Sequence, residues 1–207
     1  MIAKENQVKA IKQLNLLKLR SSKMRLAAEK WNNPWKTLIA IAMSAQSRDE
    51  TTITIAAALF EKYPTLEELA NADYAEVLFV LRSLNYNRTK ASNIIACAKM
   101  LLEKYNGKVP LNFDELIALP GVGRKTANVF LSEMGLAAIG IDTHAAYISK
   151  KLMWTKNKSP EKIEGDLKLL FPKRYWKHIN PALVRFGKTY TSRKKKDKML
   201  DEISNIS

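Results

Sequence analysis

Apolar positions in this chain recur mostly at three- and four-residue intervals, the period of helices that bury one face. Residues 7–30 read as one or two amphipathic helices, with Val8, Ile11, Leu14, Leu17 and Leu19 spaced for burial. Asn32-Asn33-Pro34 interrupts the pattern, and Trp35 to Gln46 resumes it as a mostly apolar helix. Residues 51–62 predict another, stopped at Tyr63-Pro64. Thr65, with Glu68 three residues on, has capping-box spacing. A helix over 89–105 ends at Asn106-Gly107, a pair suited to a helix stop. Asn112-Phe113-Asp114-Glu115 opens a short helix ending at Pro120. Ser159-Pro160-Glu161 starts a further one, with cap and proline in their favoured places. Ala137 to Ile141 is the nearest thing to a strand, and it is short. The expected fold class is all-α.

At 207 residues the chain can bury a substantial core, as one large domain or two small ones. Seven glycines and seven prolines are too few for an all-β fold rich in tight turns. The net charge of +15 is unevenly spread, and residues 150–198 hold sixteen Lys/Arg against four Asp/Glu. A field of that sign attracts polyanions, nucleic acid above all, although lysine richness also serves solubility alone. The only cysteine, Cys97, lies among Ile94, Ile95, Ala98, Leu101 and Leu102 and reads as a buried small hydrophobe. One cysteine excludes both a disulfide framework and a cysteine-ligated cluster. No apolar run approaches the ~18 residues that span a bilayer. The opening Met1 to Asn6 lacks the apolar core of a signal peptide. The expectation is a soluble intracellular protein of the cytoplasm or nucleoid. No low-complexity linker divides the chain. Ser192 to Lys198 is a charge run, and residues 199–207 read as a tail or one frayed turn.

The most specific segment is Leu119-Pro120-Gly121-Val122-Gly123-Arg124-Lys125-Thr126-Ala127, a glycine turn opening a helix. Gly121 and Gly123 can take positive φ and leave their amides uncovered. With the helix N-terminus near Arg124, those amides suit a phosphate oxygen. A backbone grip of that kind carries no base-sequence information. Lys125 stands in the first turn, where the helix's positive end opposes an ammonium and favours the free amine a Schiff base needs. It also fits a simpler role as a phosphate-contacting cation. Asp142 lies seventeen residues later, in Ile141-Asp142-Thr143-His144. It suits a helix N-cap, and a carboxylate there can also stabilise positive charge developing on a sugar as a base leaves. His144 can orient a neighbour or simply pack.

At these residues the chain resembles the endonuclease III family of DNA glycosylases, in the helix-hairpin-helix superfamily. The likeness extends to Asn33-Pro34-Trp35-Lys36-Thr37-Leu38-Ile39-Ala40 and to Met43-Ser44-Ala45-Gln46-Ser47-Arg48-Asp49. It continues through Lys90-Ala91-Ser92-Asn93-Ile94-Ile95 and Tyr105-Asn106-Gly107-Lys108-Val109-Pro110, covering about residues 30–190. The resemblance implies a bilobal all-α fold with a DNA-binding cleft between two helical lobes. One lobe would be a six-helix bundle over 27–136, with the helix-hairpin-helix at about 113–134. The other would join 1–26 to 137–207. Lys125 and Asp142 match the family's catalytic pair: Lys125 attacking C1′ and forming a Schiff base, Asp142 assisting base departure.

Further roles follow from the same resemblance. Gln46 and Tyr86 would fill the gap left by the everted nucleotide, Tyr86 where the family usually offers a leucine. Core packing in a shifted loop is the other reading of Tyr86. Leu119, Gly121, Val122, Gly123, Arg124 and Thr126 would form the DNA-contacting hairpin, with Asp49 and His144 in support. The family's four terminal cysteines and their [4Fe–4S] cluster have no counterpart here. Arg193, Lys194, Lys195 and Lys196 would supply phosphate attraction instead. No cofactor is required on this reading, with room for a monovalent cation at the hairpin carbonyls. The expected partner is double-stranded DNA bearing a damaged base or abasic site, bound by a monomer. Excision of oxidised pyrimidines with AP lyase activity leads. A uracil, mismatch or other damaged-base glycosylase is the alternative within the superfamily, and a non-catalytic DNA-binding module the alternative outside it.

Overall fold

The computed structural model describes residues 4–206. Met1, Ile2 and Ala3, within the segment read for a leader, and Ser207, at the end of the expected tail, lie outside the described residues. In chain order the helices are α1 (Lys4–Leu19), α2 (Pro34–Met43), α3 (Asp49–Lys62), α4 (Leu66–Ala70), α5 (Tyr74–Val80) and α6 (Asn87–Tyr105). There follow α7 (Phe113–Ile117), α8 (Arg124–Glu133), α9 (Thr143–Lys151), α10 (Pro160–Leu170), α11 (Trp176–Thr189) and α12 (Arg193–Ser204). A 3₁₀ turn at Lys173–Tyr175 precedes α11. No strand occurs among the described residues, and 137–141 joins no ladder. The fold is all-α. Two compact units are distinguishable: residues 25–134, and residues 1–24 with 135–207.

In the 25–134 unit, α2 is buried nearly all round, through Trp35, Leu38, Ile39, Ile41 and Met43. It packs on α3, α6 and α8. Asn33 starts it by accepting from the Trp35 amide, and Pro34 pre-sets its first turn. Trp31 and Trp35 both meet Phe60 edge-on, with ring centroids 5.1 and 5.3 Å apart. Thr65 and Glu68 form a reciprocal capping box at α4. Helix α6 carries left-handed residues at both ends, Tyr86 (φ 57) and Asn106 (φ 50). Cys97 is buried within α6, and burial pushes its thiol up to about 12.

The other unit buries Leu14, Leu17, Ile139, Ile148, Ile163, Leu167, Phe171, Leu183 and Phe186 around one core. Here α1 departs from the expected face. It ends at Leu19, so residues 20–30 are not helical, and Val8 and Leu19 are exposed at 47% and 80%. The buried stripe is Ala10, Gln13, Leu14 and Leu17. Gln13 is tolerated there because its amide is satisfied at both ends. Trp154 Nε1 donates to its Oε1 across 2.7 Å, and its Nε2 donates to the Ile203 carbonyl.

The expected tail is also corrected. Residues 193–204 form a regular helix, α12, which places Leu200 and Ile203 in the core beside α1 and α9. Each such apolar side chain contributes about 1.5–3 kcal/mol on burial. That outweighs the high density of charge in α12's first two turns.

Candidate active site

The hairpin is built by apolar anchors. Asn112 caps α7, its Oδ1 accepting from the Asp114 and Glu115 amides. Leu116, Leu119 and Val122 are buried, and the Val122 amide donates to the Leu119 carbonyl to close the turn. Gly121 is required on two counts. Its φ is +76, and a Cβ there would lie 2.8 Å from Asn93 Cβ on α6. Gly123 differs from the expectation: its φ is −89, so only Gly121 uses left-handed backbone. Gly123 is the N-cap of α8, with no side-chain cap and with open space where a Cβ would be. The first amides of α8 are thus left without a capping side chain, the arrangement that receives an anionic oxygen.

Arg124 follows, exposed, with its guanidinium 5.0 Å from the centre of the Phe113 ring. Lys125 is the second residue of α8 and half-buried. Thr126 is buried, as are Leu119 and Val122, so of these three expected contact positions the side chains face the interior. Asp49, in the first turn of α3, is buried as well.

Gln46 and Tyr86 both sit in left-handed backbone, at φ 54 and φ 57, and both are exposed. Tyr86 is 65% exposed, which removes core packing as its role. Two side chains tie these segments together. Asn85 Nδ2 donates to the Gln46 carbonyl across 2.6 Å. Lys90 Nζ donates to the Ala45 carbonyl and to Ser47 Oγ, each across 2.8 Å. Burial lowers Lys90 to about 8. The sequence offered no sign of this tie, because its two acceptors lie 45 and 43 residues before Lys90 in the chain.

In the other unit, Asp142 is the N-cap of α9, its Oδ1 accepting from the Ala145 amide across 2.7 Å. The preceding backbone is held by the buried Asn180, whose Nδ2 donates to the Gly140 carbonyl across 2.7 Å. His144 lies against Gly187 of α11, so closely that a Cβ on that glycine would meet its ring. Asn180 and Gly187 thus position the Asp142 turn. Neither belongs to a motif that marks it from sequence.

The basic residues of α12 divide into two kinds. Arg193 lies 4.2 Å from the Tyr147 ring centre, and its Nε meets Asp197 Oδ2 at 3.3 Å. Asp197 also accepts from the Tyr147 hydroxyl and pairs with Lys151. The Tyr147 hydrogen bond, with Lys151 and Arg193, holds Asp197 below the usual carboxylate range, while burial and then the Asp197 carboxylate push Tyr147 up to about 12. Lys194 and Lys195 are exposed, while Lys196 is partly buried and lowered by desolvation and by Arg193. An iron–sulfur cluster does not fit these donors. Ligation needs thiolates, and the single thiol is buried in α6 and held protonated. No group of three or more His, Cys, Asp or Glu among the described residues could hold a metal.

An all-α chain in which a hairpin with buried anchors leads into a helix start capped by a glycine defines a helix-hairpin-helix protein. Residues 39–173 match the family described as HhH-GPD superfamily base excision DNA repair protein, and the chain belongs to that superfamily. It is 40% identical to endonuclease III of Thermotoga maritima over 77% of this chain and 75% of that protein. It is 38% identical to endonuclease III of Bacillus subtilis, over 76% of this chain and 73% of the relative. A solved structure of a non-covalent endonuclease III–DNA complex superposes with a TM-score of 0.83 at 33% identity, covering 94% of this chain and 90% of the other.

Proposed function

We propose that this protein removes oxidised pyrimidines such as thymine glycol from double-stranded DNA, with Lys125 as nucleophile and Asp142 as its acidic partner. Its class, a base excision repair DNA glycosylase with AP lyase activity of the endonuclease III type, follows from its family membership. The observation that carries the assignment of roles is the position of Lys125. It is the second residue of a helix whose cap, Gly123, has no side chain, the turn in which a helix start favours an anionic oxygen and disfavours an ammonium.

The target nucleotide must leave the stack, since C1′ is shielded in the duplex. The Lys125 Nζ lone pair then forms a bond to C1′ as the glycosidic C–N bond breaks. The base departs with the electron pair of the broken C–N bond and takes up a proton. Loss of a proton from nitrogen and opening of the C1′–O4′ bond, with O4′ taking up a proton, give the Schiff base. Removal of a C2′ proton expels the 3′ phosphate by β-elimination, cutting the strand. Asp142 stabilises positive charge on the sugar during base departure and serves the proton transfers.

Gln46 and Tyr86 fill the vacated space, an exposed aromatic face suiting neighbouring bases. Arg124 and the hairpin amides take phosphate, as do Lys194 and Lys195. Asp49, buried in the first turn of α3, and His144, packed against Gly187, support the site. The Leu119 carbonyl accepts from Val122 and keeps a second lone pair, donor chemistry that accommodates a monovalent cation. The protein works as an intracellular monomer. No described helix is long and apolar enough to cross a membrane.

A lesion panel tests the substrate assignment. Duplexes carrying thymine glycol, uracil, hypoxanthine, 8-oxoguanine or an alkylated base are compared under single-turnover conditions. Thymine glycol is expected to be excised fastest. Faster release of uracil or a mismatched base would replace this reading with the alternative specificity.

A further inference from the structure

Helix α6 presents a run of functional contacts on one side. Tyr86 caps it, Lys90 lies four residues on and Asn93 three beyond that, a spacing that keeps all three on one face. Asn93 is the residue against which Gly121 of the hairpin is seated. Cys97, one turn further, lines a small cavity with Asn93, Pro120 and Gly121. The face that meets the hairpin at one end therefore meets the Gln46 turn at the other.

The Gln46 turn has little of its own to hold it. It follows the end of α2, with Ser47 N–H donating to the Ser44 carbonyl and Ala45 N–H to that of Ala42. Gln46 itself is left-handed and exposed, a conformation that costs a non-glycine residue energy unless its surroundings enforce it. The Lys90 ammonium and the Asn85 amide supply that enforcement, reaching three consecutive residues: Ala45, Gln46 and Ser47. Lys90 also donates its own backbone amide to the Tyr86 carbonyl. One residue is thus bonded to both segments that carry the exposed side chains.

We propose that Lys90 is a positioning residue that locks Gln46 and Tyr86 into one rigid pair, pre-set to enter the gap left by the everted nucleotide. This rests on the roles given to Gln46 and Tyr86 above. Pre-setting matters because a mobile wedge would pay its ordering entropy at each encounter. Burying a lysine for this purpose suits the geometry. Either protonation state keeps two N–H donors for the two oxygen acceptors, so the tie survives loss of the proton.

The test uses Lys90→Met, which keeps the length and apolar stem but removes the donors. In the free protein, amide exchange at residues 44–47 should quicken at least tenfold while α8 and α9 remain protected. Single-turnover excision of the preferred lesion should fall about tenfold with DNA affinity within twofold of the parent. In a Gln46→Ala background the same substitution should cost no further rate, since its route runs through the turn. Lys90→Arg should recover part of the loss by restoring donors. Unchanged exchange at 44–47, or an equal rate loss in both backgrounds, overturns the proposal. Borohydride trapping of Lys90→Met on abasic-site DNA separates the two readings. Retained trapping leaves the lyase assignment standing whatever happens to Lys90, and the exchange measurement decides the tie even if excision is never seen.

Discussion

Gly187 and His144 approach so closely that a Cβ on the glycine would lie 2.3 Å from His144 Nδ1 and 2.6 Å from its Cγ. The contact joins α11 to the first turn of α9, the turn that Asp142 caps. Gly187→Ala must therefore push the imidazole or the helix aside. Overpacking of this kind costs about 1–3 kcal/mol. In a chain of this size the melting temperature should fall by roughly 2–4 °C per kcal/mol. Calorimetry on Gly187→Ala, His144→Ala and the double variant provides the check. The double variant should lose less than the sum of the singles, because the clash needs both partners. Full additivity would mean the contact is not what disfavours a side chain at 187.

Asp142 has a structural job and a proposed chemical one, and they can be separated. Asparagine caps helices about as well as aspartate, so Asp142→Asn should melt close to the parent. Base excision should nonetheless slow by two orders of magnitude or more, with duplex binding retained. Asp142→Ala should lose about 1 kcal/mol of stability as well, from the missing Ala145 hydrogen bond. Unchanged excision by Asp142→Asn would remove the carboxylate from the mechanism.

The last helix predicts two opposite behaviours along its length. Leu200→Ala should cost about 2–5 kcal/mol, as for other buried leucines, because α12 is part of the core. Lys194→Ala and Lys195→Ala should leave stability within about 0.5 kcal/mol, as exposed sites do. They should weaken DNA binding and reduce the log–log salt slope by roughly 0.9 for each phosphate no longer neutralised. Equilibrium unfolding and a salt titration of binding measure these separately. An unaltered slope would mean the two lysines are solvent-facing only.

Lys90 links stability to pH. Burial lowers its folded-state value to about 8 from 10.5. Between those values the unfolded chain holds the proton more often than the folded one, so raising the pH favours folding. The contribution is absent below about pH 8 and complete above about pH 10.5. Urea midpoints of the parent and of Lys90→Met should therefore diverge in the parent's favour as pH rises through that window. Parallel curves would mean that Lys90 titrates as an exposed lysine.

Much of the helical order was legible because capping signals are local. The Thr65–Glu68 box, the Asn112 cap and the Ser159-Pro160 start form as their residue types dictate. Asp142 as an N-cap was legible for the same reason. Long-range partners were not. Gln13 looks solvent-facing until Trp154 and the Ile203 carbonyl are seen to satisfy its amide. The terminal helix was hidden because six of its first seven residues are charged and only Leu200 and Ile203 are buried. The left-handed geometry of Tyr86 has no glycine to announce it, and the Lys90 tie spans 45 residues of sequence.

On the proposed mechanism Lys125 becomes covalently joined to the deoxyribose at the site of damage. Borohydride reduction during reaction with abasic-site DNA reads this directly. The parent protein should give a denaturation-resistant protein–DNA adduct whose mass and peptide map place the link at Lys125, and Lys125→Ala should give none while still binding the duplex. An adduct of equal yield from Lys125→Ala, or its attachment to another lysine, would contradict the account.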